Sequence, residues 1–84
     1  MGAAVVEVNG RYPEQGFAIN HECTELVYVL EGEGRIVTAR EEAAFTSGDM
    51  ISIGREEKYF WEGKFIAIMV SAPAWHPEQY GQVE

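Results

Sequence analysis

Turn residues recur along this chain, and between them helical periodicity is almost absent. Gly10, Pro13, Gly16, Gly32, Gly34, Gly48, Gly54, Gly63 and Pro73 punctuate it at short intervals. Glycine takes positive φ without a side-chain clash and proline fixes φ, so such residues break regular elements. The best run of helix formers, Glu41-Glu42-Ala43-Ala44-Phe45, is cut off by Thr46-Ser47-Gly48-Asp49. Between the breaks lie short runs of β-branched, aromatic and aliphatic residues. Strands are expected at Ala3–Val8 (ended by Asn9-Gly10), Phe17–Asn20, Leu26–Leu30, Arg35–Thr38, Glu42–Phe45, Met50–Ile53, Tyr59–Trp61 and Phe65–Val70, with a turn over Glu31-Gly32-Glu33-Gly34. That cadence predicts one all-β domain, a sandwich or barrel, over residues 1–84, with an irregular C-terminal arm over 72–84.

Charge narrows the range of partners. Six Lys plus Arg face fourteen Asp plus Glu, a net charge of -8 on 84 residues. Nucleic acids and anionic membrane surfaces are held by basic patches, which this chain lacks, so neither is expected as a partner. No apolar run approaches the ~20 residues that span a bilayer. The start, Met1-Gly2-Ala3-Ala4-Val5-Val6-Glu7, has no basic region and too short an apolar stretch for a signal peptide. The single cysteine, Cys23, has no internal partner, so the expected compartment is the reducing cytoplasm.

Two segments carry a family resemblance. His21, Glu25 and Gly32, within Glu25-Leu26-Val27-Tyr28-Val29-Leu30-Glu31-Gly32-Glu33-Gly34, resemble the first motif of the cupins. Gly48-Asp49-Met50-Ile51-Ser52-Ile53-Gly54-Arg55-Glu56-Glu57-Lys58-Tyr59 resembles the second, and Ser71 to Gln79 resembles the proline-aromatic close of many small cupins. The resemblance implies a double-stranded β-helix, a small jelly-roll barrel with a pocket at one mouth. It also implies a divalent metal there, held by two histidines and a glutamate of the first motif and a histidine of the second. Here His21 and Glu25 match, but Ile19 and Tyr59 stand at the other two histidine positions.

Strand parity places residues i and i+2 on one face, which would set Ile19 beside His21. An isoleucine offers no lone pair, and three protein ligands are the usual minimum of a firm transition-metal site. Tyr59 is a third candidate ligand only if its phenol, with a pKa near ~10, gives up its proton. The expected pocket is lined by His21, Glu25, Val27, Tyr59 and Trp61, with Glu25 needing a buried partner, His21 being the obvious one. Tyr59 and Trp61 would suit a sugar or another flat, partly apolar ligand. Two functions follow. One is a binding protein for a small molecule, non-catalytic or without a firmly held metal. The other is a metal-dependent enzyme of the isomerase or dioxygenase type, using His21, Glu25 and Tyr59. Cys23 is a candidate soft ligand or redox-sensitive thiol, or neither. His76 is expected in solvent, and Arg55 to Lys58 as a solvated turn.

Leu26–Leu30 is a continuous apolar run and reads as a strand buried on both faces. Its outward parity, Leu26, Tyr28 and Leu30, would then be covered by a second copy, so a homodimer is expected, with Ala3–Val8 a further edge for pairing; the alternative is that the tail from Ala72 to Glu84 folds back over the same surface within one chain.

Overall fold

The computed structural model describes residues 1–84 and contains seven strands and no α-helix. They are β1 (Gly2–Tyr12), β2 (Phe17–Asn20), β3 (Thr24–Thr38), β4 (Glu42–Thr46), β5 (Met50–Ile53), β6 (Tyr59–Ala72) and β7 (Tyr80–Val83). All pairings are antiparallel. β3 and β6 form the spine, with β1 and β2 on the far edge of β6, β4 and β5 on the far edge of β3, and β7 beyond β2. The all-β expectation holds.

Several expected breaks are continuous strand instead. β1 runs through Asn9-Gly10 to Tyr12 against β6. The segment Glu31–Gly34 is no turn: β3 passes through it, with a bulge between Val29 and Glu31. A bulge bends and twists a strand without ending it. Its glycines serve close approach rather than reversal. At Gly32 (φ +96°) an added Cβ would lie 2.2 Å from the Lys64 carbonyl oxygen, and at Gly63 (φ +146°) one would lie 2.5 Å from that of Glu33. Gly10, Gly63 and Gly34 stand in one register row across β1, β6 and β3. Phe45 packs against Gly34 in this row, with its ring 3.1 Å from where a Gly34 Cβ would stand.

The core is a cluster of aromatic rings and aliphatic side chains. Phe45 meets Phe65 and Trp61 edge-on with centroids 4.9 and 5.6 Å apart, and Trp61 meets Phe65 at 5.5 Å. Such pairs add ~0.5–1.5 kcal/mol each beyond the area they bury. Along β3, Glu25, Val27 and Val29 point inward. Leu26, Tyr28 and Leu30 point outward and are 40–44% exposed, so the strand is covered on one face only in the single chain.

The C-terminal segment is more regular than expected. A single 3-10 turn over Pro77–Gln79 leads into β7, which pairs with β2 from Phe17↔Val83 to Asn20↔Tyr80. Its sequence, Tyr80-Gly81-Gln82-Val83, has glycine and glutamine at its centre and does not announce a strand. Backbone pairing with β2 supplies the order.

Candidate functional site

A cavity of about 600 Å³ opens within the barrel between β1, β3, β6 and the C-terminal segment. Val6 and Val8 of β1, Val27 of β3 and Trp61, Phe65 and Met69 of β6 form its apolar walls. Period-2 alternation accounts for this: every second residue of each strand faces in.

Its polar floor is built around Glu25, which is 2% exposed. Glu25 Oε1 accepts a hydrogen bond from Asn20 Nδ2 at 2.8 Å and a longer one from the Tyr59 hydroxyl at 3.5 Å. Asn20 Nδ2 also donates to the Tyr59 oxygen at 3.3 Å. Asn20 in turn accepts from Gln79 Nε2 at 2.9 Å. Gln79 Oε1 receives the backbone N–H groups of Glu22 and Cys23, each at 3.2 Å. Ser71 faces Glu25 in the β3–β6 register and also lines the cavity. Burial pushes the Glu25 carboxyl above its ordinary range, while hydrogen bonds from Asn20, Tyr59 and Ser71 pull the other way. Burial, then the Glu25 charge, drives the Tyr59 phenol well above its usual value.

At the mouth, Tyr12 and Tyr80 share a hydrogen bond with oxygens 2.8 Å apart, and the Trp75 ring lies 5.8 Å from that of Tyr80. Burial and the Tyr80 contact raise the Tyr12 pKa as well. Arg11 borders the cavity but is already engaged. Nη1 donates to the Pro13 carbonyl at 2.7 Å and Nη2 to that of Gly16 at 2.9 Å, with the guanidinium 3.9 Å above the Phe60 ring.

Of the expected lining, Glu25, Val27, Tyr59 and Trp61 meet at the cavity; His21 does not. β2 ends at Asn20, and its inward parity carries Ala18 and Asn20 rather than Ile19 and His21. Ile19 and His21 do share a side, as expected, but it is the side of Gly81: both lie 3.3 Å from where a Gly81 Cβ would stand. His21 Nδ1 sits 3.1 Å from the Glu56 carboxylate, with half its side chain in solvent. The partner of Glu25 is therefore Asn20 rather than His21, and nothing in residue order singles Asn20 out from its neighbours. Tyr12, Met69, Ser71, Trp75 and Tyr80 were also unforeseen. Each depends on which strand lies beside which.

These residues do not fit a metal centre. His21 faces away, Ile19 has no donor atom, Tyr59 keeps its proton, and no three His, Cys, Asp or Glu side chains converge anywhere in the chain. Cys23 is fully buried, donates from Sγ to the Pro73 carbonyl at 3.3 Å, and is held as a thiol by burial and by the Glu25 and Glu22 charges. His76 is half-exposed between Glu78 and Glu22 at 3.1 and 3.5 Å. Arg55 and Glu56 form a surface turn, with Glu56 at positive φ.

No family model and no curated relative matches the sequence, but solved structures match the fold. Pac13 from Streptomyces, described as a nucleoside dehydratase and also solved with uridine, superposes with a TM-score of 0.85 at 20% identity. The match covers 98% of this chain and 68% of that one. Ectoine synthase from P. lautus gives 0.70 at 20% identity, over 98% of this chain and 63% of that one. A predicted oxalate decarboxylase from Thermotoga maritima gives 0.69 at 20% identity, over 82% and 63%. With the two motifs and the barrel geometry, these likenesses identify the chain's architecture as the cupin-type double-stranded β-helix.

Proposed function

We propose that this chain binds a small, uncharged, partly planar molecule in the barrel cavity without a firmly held metal. The observation that carries the reading is the cavity itself. Its walls are aliphatic and aromatic, and its polar groups converge at the floor around Glu25, the usual composition of a small-molecule site. The nearest cation, Arg11, already serves two carbonyls, and Glu7 and Glu25 border the space, so an anionic ligand meets no free positive charge. The same lack, with the net charge of -8, argues against nucleic acid as partner. Pac13, which holds uridine in the same fold, makes uridine the natural first probe.

The test is ligand-observed NMR with uridine and a panel of neutral heterocycles and sugars. Binding is expected, and Val6→Trp, which fills the cavity from β1, should abolish it. A panel with no binder, or binding indifferent to that substitution, overturns the reading. The competing reading, a metal-dependent enzyme using His21, Glu25 and Tyr59, predicts near-stoichiometric zinc, iron, manganese or nickel lost on His21→Ala. Geometry also supplies a constructive control. Asn20→His with Tyr59→His sets two imidazoles beside Glu25 and should raise metal affinity, whereas Ile19→His, on the other parity, should not.

We further propose that a second copy covers the outer face of the sheet. Val5, Ile68, Tyr28 and Met50 form one register row there, and Ala3, Val70 and Leu26 the next. Large contiguous apolar surfaces of this kind mark interfaces. The reduced, buried Cys23 agrees with a cytoplasmic setting.

A further inference from the structure

The buried polar groups at the cavity floor form a chain with only one possible direction. It starts at the backbone N–H groups of Glu22 and Cys23, which can only donate, so the Gln79 side chain must turn its oxygen toward them. Its Nε2 then faces Asn20, at 2.9 Å, and fixes the Asn20 amide with its oxygen toward Gln79. Asn20 Nδ2 therefore faces the other way and places its two hydrogens on Glu25 Oε1 and the Tyr59 oxygen. The Tyr59 hydroxyl, which accepts from Asn20 through one lone pair, directs its own hydrogen to the same Oε1 at 3.5 Å. Oε1 thus receives two donors and is an acceptor only. A proton on this carboxyl has one place left, Oε2; Glu25 borders the cavity and stands opposite Ser71 in the β3–β6 register.

We propose that Glu25 is the proton donor of the cavity, presenting a proton on Oε2 to an oxygen or nitrogen acceptor of an uncharged ligand, and that Gln79 and Asn20 are the positioning residues that set this polarity. The proposal rests on the cavity being a binding site and adds what that site asks of its occupant. Proton donation alone balances as a hydrogen bond: the Oε2 proton is shared with the acceptor, and no bond to carbon forms or breaks. Burial favours the protonated carboxyl, so the donor persists to higher pH than an ordinary glutamate would allow. The two amides have no other evident task. Gln79 lies outside both cupin motifs' metal positions, is 1% exposed, and spends both polar atoms of its side chain on this chain of hydrogen bonds.

The decisive test needs no ligand. Carbon-13 NMR of the glutamate side-chain carboxyls follows the Glu25 resonance, identified by its absence in Glu25→Gln. It should titrate above the ordinary glutamate range. Asn20→Ala removes a donor to the charged form and should move the midpoint upward. Gln79→Ala, which unfixes the Asn20 amide, should move it in the same direction by less. Should Gln79→Ala fail to fold, Asn20→Ala decides alone. A purely structural role for the amides predicts lower stability with an unmoved midpoint, and that result overturns the proposal, as does an ordinary Glu25 midpoint in the native protein. A second arm uses uridine and uridine 5′-monophosphate as probes. Uridine affinity should fall as pH rises through the Glu25 midpoint, stay flat in Glu25→Gln, and exceed that of the monophosphate at least ten-fold. Equal affinity for the two overturns the uncharged-ligand assignment. Failure of uridine to bind while Glu25 titrates as expected counts against the binding reading and supports the proton placement.

Discussion

The two ends of this small barrel are built on opposite principles. One is filled by Phe45, Trp61 and Phe65 in edge-on and tilted ring contacts, with Phe45 against Gly34 in the register row of Gly10, Gly63 and Gly34, an apolar plug. The other is built on Glu25 and Tyr59, which line the cavity, with Asn20 and Gln79 linked to them by hydrogen bonds, buried polar groups that must each find a partner merely to avoid a penalty. Every one does: no buried side-chain nitrogen or oxygen lacks a hydrogen bond. Trp61 and Phe65 belong to both, meeting Phe45 in the plug and also lining the cavity. A buried carboxyl with a raised pKa on the wall of a cavity, as Glu25 is, is where chemistry concentrates.

That contrast can be broken by mutation. Phe45→Ala empties the plug and should cost ~3–5 kcal/mol, measured by chemical denaturation; a loss under ~1 kcal/mol would mean the stability resides elsewhere. Disrupting the outer face should act on assembly without touching either end. Light scattering is expected to give twice the 9.4 kDa chain mass, reduced to one chain by Leu26→Glu with Tyr28→Glu. A mass of one chain that persists as concentration rises removes the dimer.

The polar end should reveal itself through pH rather than through bulk stability. The Glu25 pKa is raised on folding, so its protonated form favours the native state. Its contribution is complete below the unfolded-state pKa and is lost as pH rises toward the folded-state value. Stability of the native protein should therefore decline on raising pH across that window, and Glu25→Gln should flatten the decline. A pH dependence unchanged by Glu25→Gln would contradict the burial argument. The smallest effect belongs to His21→Ala. Its pair with Glu56 is exposed, so stability should change by less than ~1 kcal/mol, and uridine binding should not change.

Much of the architecture was legible from residue order. Repeated breaks excluded helices, alternation placed Val27, Tyr59 and Trp61 on the interior face, and the spacing from His21 through Glu25 to Gly34 pointed to the barrel. Those features are local, with periods of two residues or contiguous motifs, and local sequence states them directly. The neighbours of Glu25 were not legible. Whether His21 or Asn20 turns inward depends on where β2 ends, and that is set by its pairing with β7, about sixty residues away. The arm expected to be irregular supplies that strand and also delivers Gln79 to the polar floor. Likewise, Gly32 and Gly34 look like a turn until β6 lies across them, where they become the closest approach of two long strands. The sequence alone determined which residues could face the interior. Only the packing of distant strands decided which of them meet, because hydrogen-bond partners at the floor come from β2, β3, β6 and the C-terminal turn, and no periodicity within one strand encodes its neighbour.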